Sequence, residues 1–93
     1  VGLLRKLPKL FGNDLQGAFM FCQFEYQKKY GYDWKWRGGQ VVRRAGGYYL
    51  EPGPQSFKSF EGTYLGKTYE RCIGFFVAYV RDGKENAAAR RAR

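Results

Sequence analysis

Residues 30–37 read Tyr-Gly-Tyr-Asp-Trp-Lys-Trp-Arg, so Tyr30, Tyr32, Trp34 and Trp36 alternate with small or polar residues. An extended strand sends successive side chains to opposite faces of a sheet. On that reading four rings line one face, and Asp33, Lys35 and Arg37 share the other. The pattern predicts a strand over 30–37. The rings then form either part of a core or a binding face.

Glycine pairs divide the stretch that follows. Gly38-Gly39 and Gly46-Gly47 each come after an arginine, in Arg37-Gly38-Gly39 and Arg44-Ala45-Gly46-Gly47. Glycine pairs between short β-prone runs mark turns. They predict short strands over 40–45 and 48–51, with Pro52-Gly53-Pro54 ending the sheet because proline cannot donate to a ladder. Residues 55–63 are expected to form a loop. Two further strands are expected, at 19–28 and along 64–81, the latter broken at Gly66 or Gly74. Together these runs predict a mostly β or α+β domain with a small, meander-like antiparallel sheet.

The ends differ in character. Leu3, Leu4, Leu7, Leu10 and Phe11 fall on one helical stripe, with Arg5, Lys6 and Lys9 off it, while Pro8 disfavours a continuous helix. Residues 1–17 are therefore expected to be a short basic amphipathic arm, 18–81 the β-rich domain, and 82–93 a basic tail. The tail has a helix-forming Ala/Arg composition, with Asn86 as its N-cap, and is too short to be stably helical alone. The start at Val1 fits a processed chain and a trimmed one equally.

Ninety-three residues make one modest core. Ile73 is the only isoleucine and valine occurs five times, whereas the chain holds eight Phe, eight Tyr and two Trp. The core must then be built largely from rings, which suits packing on a sheet. Cys22 and Cys72 lie in apolar runs and are expected to be buried free thiols; a disulfide between neighbouring strands is the alternative. With no histidine and only this isolated cysteine pair, no metal site is expected, and no cofactor is implied. The longest apolar run, 72–80, falls short of the roughly 20 residues of a membrane span. No localisation can be read from the chain.

Chemistry is sparse. The commonest general base near neutral pH, histidine, is absent. Ser56 and Ser59 have no activating partner in view. Among the carboxylates, Glu25 and Glu70 would make the one available acid/base couple if they lay on adjacent strands. The glycine-rich stretches lack the ending of a phosphate-binding loop. No enzymatic activity is expected.

Charge and rings point to binding instead. The net charge is +9, from 17 Lys and Arg against 8 Asp and Glu. An anionic partner would offset that self-repulsion. Tyr30, Tyr32, Trp34, Trp36, Lys35, Arg37, Arg43, Arg44, Arg90 and Arg91 are the candidate partner-binding residues, since Tyr, Trp and Arg are what interface anchors use. The composition favours a structural or linker subunit docking onto acidic protein subunits of a larger complex, as basic linkers do in light-harvesting antennae. RNA or single-stranded nucleic acid is the rival partner, since rings interleaved with cations stack bases. A carbohydrate-stacking module is a third class. The arm at residues 3–11 also suits peripheral contact with a membrane surface. Residues 72–79 match the aromatic signature of the RNA-recognition motif only at Phe76, Val77 and Tyr79, and not at Cys72, Ile73, Gly74 and Phe75. They are read as a buried strand.

Overall fold

The computed structural model describes residues 2–92, apart from the side chains at 89–92. The described residues form an α+β fold of four helices and one antiparallel sheet. Its elements are α1 (Gly2–Phe11), α2 (Leu15–Tyr30), β1 (Gly39–Arg44), β2 (Gly47–Pro52), β3 (Thr63–Gly66), α3 (Tyr69–Asp82) and α4 (Lys84–Ala92). The strands lie in the order β1-β2-β3.

The hairpin β1–β2 follows from the second glycine pair. Arg44 opposes Gly47 across the two-residue turn Ala45-Gly46, and Val41 opposes Leu50. Val41, Tyr48, Leu50 and Leu65 belong to the core on the helix side of the sheet. On the outer face, Tyr49 and Tyr64 pack with ring centroids 5.2 Å apart.

The strand expected at 19–28 is helix α2. Leu15, Ala18, Phe19, Cys22 and Gln23 are its buried positions, spaced by three and four as one helical stripe requires. Asp14 caps its start by accepting from Gly17 N–H at 2.9 Å. The pattern resembled a strand because apolar side chains stand on several sides of this helix. Phe21 packs on Phe11 of α1 at 5.6 Å, and Phe24 is exposed.

Most of the strand expected along 64–81 is likewise a helix. Only β3 is extended; Thr68 then accepts from Arg71 N–H and opens α3. Cys72, Ile73, Phe75, Phe76 and Tyr79 are buried along it. An apolar run of this length has no period that separates a buried strand from a buried helix. The partial match to the RNA-recognition signature therefore falls on a helix, not on the strand that signature requires. Glu25 and Glu70 sit on helices rather than paired strands, and Glu25 is held by Lys28 at 2.9 Å.

The core is a set of touching rings. Tyr79 is its hub, with Tyr26 stacked on it at 4.5 Å and 5°, Trp36 at 5.2 Å and Phe19 at 6.1 Å. Phe76 adds a contact to Phe19 at 5.8 Å. Cys22 and Cys72 are both buried free thiols. No helix among the described residues is long and apolar enough to cross a membrane.

Both ends share this core. Leu7 of α1 is fully buried, with Leu3 and Phe11 packed beside it, so these three residues of the apolar stripe face the protein's own interior. The polar side, with Arg5, Lys6 and Lys9, faces outward, and Leu4 and Leu10 are exposed. Pro8 lies within the helix. At the other end α4 starts directly after α3 at Gly83, whose φ of +95° gives the sharp reversal that a residue with a side chain would resist. Asn86, expected as an N-cap, lies inside α4 and donates to Asp82 O. Ala87 is buried, so the start of the expected tail is packed rather than awaiting contact.

Gln16 ties α2 to the sheet. Its Nε2 donates to Gly39 O at 3.0 Å and its Oε1 accepts from Val41 N–H at 2.7 Å. One side-chain amide thus occupies the place of a neighbouring strand along β1.

Truncating Leu7 to Ala is expected to destabilise the protein by about 2–5 kcal/mol, as for other buried leucines. Leu10→Ala should stay within about 0.5 kcal/mol. Urea unfolding of both variants checks this.

Candidate functional site: an exposed ring cluster beside a groove

The segment between α2 and β1 is not a strand. Residues 31–33 are irregular and 34–38 form a turn. Asp33, at the middle of the aromatic alternation, is the reason. Its side chain is fully buried, and it accepts from the Tyr79 hydroxyl at 2.7 Å, from Lys84 Nζ at 2.8 Å and from Trp36 N–H at 3.3 Å. A buried carboxylate needs such partners. Meeting them folds the chain around Asp33 and sends the rings to different places.

Trp36 goes inward, 3% exposed, and Lys84 Nζ lies 5.7 Å from its ring centroid. Trp34 goes outward, 56% exposed. The expectation that both tryptophans share a face therefore fails. Tyr30 is separate again: it closes α2, packs on Tyr26, and donates to Arg81 O at 2.7 Å. Lys29 donates to the same carbonyl at 2.8 Å, so two side chains of α2 satisfy the C-terminal end of α3.

Tyr32 and Trp34 remain at the surface and recruit Phe57 from the 53–62 loop. The centroid distances are 4.3 Å for Tyr32–Trp34, 5.5 Å for Trp34–Phe57 and 6.4 Å for Tyr32–Phe57. The Arg37 guanidinium lies 5.0 Å from the Tyr32 centroid and 5.3 Å from that of Phe57. It makes no ion pair among the described residues. Lys35 is exposed. Of the predicted residues, the structure brings Tyr32, Trp34 and Arg37 together.

The rest are dispersed. Arg43 and Arg44 are neighbours on β1 and so point to opposite faces. Arg43 lies over Tyr48 at 5.6 Å, and Arg44 pairs with Glu51 at 2.7 Å. The side chains of Arg90 and Arg91 lie outside the described residues.

A groove of about 250 Å³ opens beside the cluster, lined by Gln23, Phe24, Gln27, Arg37, Gln55 and Phe57 among others. Gly38 forms part of its wall. A Cβ there would stand 2.5 Å from Gln55 O, and φ is +77°, so only glycine lets the 53–56 segment approach the 34–38 turn this closely. Phe57, Phe24 and Gln23 were not anticipated. Phe24 carried a signal: it falls off the buried stripe of α2 and is 57% exposed.

Gln23 is buried, 2% exposed, and its Nε2 has no hydrogen-bond partner. The amide faces the Tyr79 hydroxyl and eases that group's ionisation, but outside hydrogen-bond geometry. Burial, and then the hydrogen bond to Asp33, dominate there and hold Tyr79 neutral far above its usual range. Burial, helped by Glu25, pushes the Cys22 thiol up to about 12. No cluster of three or more metal-ligating side chains occurs among the described residues.

Two outcomes follow. Trp36→Ala should cost about 3–5 kcal/mol, and Trp34→Ala about 1 kcal/mol or less; thermal melts of the two variants separate them. Alkaline conditions should also destabilise the fold. Cys22 and Tyr79 keep their protons when folded and lose them when unfolded, so the unfolded state is favoured above about pH 9 for the thiol and about pH 10 for the phenol. The loss is about 1.4 kcal/mol per pH unit for each group within its window, read as a falling urea midpoint. No protein-family model, curated protein or solved structure matches this chain.

Proposed function

We propose that this chain is a non-enzymatic docking subunit that binds acidic protein surfaces of a larger assembly. The observation that carries this reading is the contiguous exposed cluster Tyr32–Trp34–Phe57 with Arg37 resting on two of its rings. Isolated surface rings need no explanation, whereas a touching group of them marks an interaction site. Tyr, Trp and Arg at its centre are the residue types that dominate binding energy at protein interfaces. The net charge of +9 selects for an acidic partner and speeds the encounter. Arg5, Lys6 and Lys9 on the outer side of α1 extend the basic surface. The same cations, with Leu4 and Leu10, would serve contact with an anionic membrane surface.

Single-stranded RNA is the second reading, supported by the same cluster. Exposed rings beside an arginine also stack bases. Affinity purification from the native source, with and without nuclease, separates the two. A fixed set of acidic proteins that survives nuclease, and is lost with Trp34→Ala while the melting temperature barely moves, supports docking. Release of every partner by nuclease, with direct RNA binding by the purified chain, replaces it with the RNA reading.

A further inference from the structure

The groove beside the ring cluster is continuous with a second one. Met20, Gly38 and Gln55 line both, and the second runs on toward β1, past Gln40, Val41 and Pro54, with about 500 Å³ of its own. The result is an elongated trough along one flank of α2. Its polar lining consists mainly of carboxamides: Gln27 and Gln55 in the first part and Gln40 in the second are open to a ligand, whereas Gln23 is buried and Gln16 is bonded to β1. A carboxamide both donates and accepts, as does a peptide group, so amides spaced along a trough suit an extended main chain.

One charged group in the first part has no ion-pair partner among the described residues: Arg37, which is held in place by two rings. Phe24 and Phe57, both more than half exposed, offer apolar wall between them.

From these features we propose that the trough binds an extended acidic peptide segment of the partner. A Glu or Asp side chain pairs with Arg37, an apolar side chain lies between Phe24 and Phe57, and the main chain meets the carboxamides of Gln27 and Gln55. Charge chooses this occupant over the others. A second copy of a +9 chain is repelled. A nucleic-acid strand needs a row of cations along its phosphates, and Arg37 is the only cation lining either part of the trough among the described residues. The inference rests on the docking reading above and names the feature of the partner that is recognised.

The test uses the full chain and a synthetic glutamate-rich peptide with one central phenylalanine. Trp34 emission reports binding, because Trp34 is exposed beside the trough and Trp36 is buried in the core. The peptide is expected to bind, and its Glu-to-Gln analogue to bind at least about tenfold more weakly. Arg37→Gln should weaken binding by a similar factor. Phe24→Ser is the sharper variant: Phe24 lines the trough and is 57% exposed, so the core does not depend on it. It should therefore leave the melting temperature nearly unchanged while weakening peptide binding several-fold. Equal binding by wild type, Arg37→Gln and Phe24→Ser overturns the proposal. So does oligouridine or a neutral oligosaccharide that binds more tightly than the peptide and depends on the same two residues. The native pull-down separates the two levels of inference. Acidic partners retained equally by Phe24→Ser and Arg37→Gln sink the trough and leave docking in place. Peptide binding that depends on both residues, with no acidic protein recovered from the native source, sinks docking and leaves the recognition chemistry in place.

Discussion

Everything distinctive about this fold passes through the Asp33 carboxylate. It is a fully buried charge, and it is tolerable only because Lys84, Tyr79 and a main-chain N–H converge on it. Those three donors come from the start of α4, the interior face of α3 and the turn that follows α2. The carboxylate thus locks three remote parts of the chain in one arrangement. The same arrangement drives Trp36 into the core against Tyr79 and leaves Tyr32 and Trp34 in solvent. The core and the surface cluster are two products of one buried ion.

This also explains why the aromatic alternation misled. Period two is the signature of a strand, but it is equally what a turn produces when a buried acid sits between two tryptophans. Aspartate is a poor strand residue, and here it is the informative one. Its partner Lys84 is 51 residues away, so the pairing that decides the local conformation is invisible locally. In 72–80 the ambiguity had a different origin. Buried helices and buried strands are both continuously apolar, and what distinguishes this one lies in the flanks: Thr68 as an N-cap and Gly83 past the end. The hairpin was legible because Gly46-Gly47 needs no distant partner to turn the chain. The ring-built core was legible because so few aliphatic β-branched residues were available to make another kind. Of the site, Tyr32, Trp34 and Arg37 could be read as a group. Phe57 and Phe24 join them only through tertiary folding, and Gln23 becomes notable only once it is buried.

The acidic residues are largely committed within the molecule. Asp33 holds Lys84, Glu25 holds Lys28, Glu51 holds Arg44, Asp82 holds Arg81, and Asp14 caps α2. The exposed pairs among these contribute little to stability. Their effect is to neutralise particular cations and leave others bare. Arg37 is one of the bare ones, and it lies on two rings of the exposed cluster, so unpaired positive charge meets exposed aromatic surface there.

A sheet ordinarily ends where a strand runs out of neighbours, and that margin invites pairing with other chains. Here the first part of the β1 margin is met by the amide of Gln16, a single side chain standing in for a fourth strand at Gly39 and Val41. The width of the sheet is consequently a matter of side-chain torsion rather than of chain topology. Rotating one glutamine away would uncover a main-chain acceptor at Gly39 and a donor at Val41 without melting a helix or breaking a ladder.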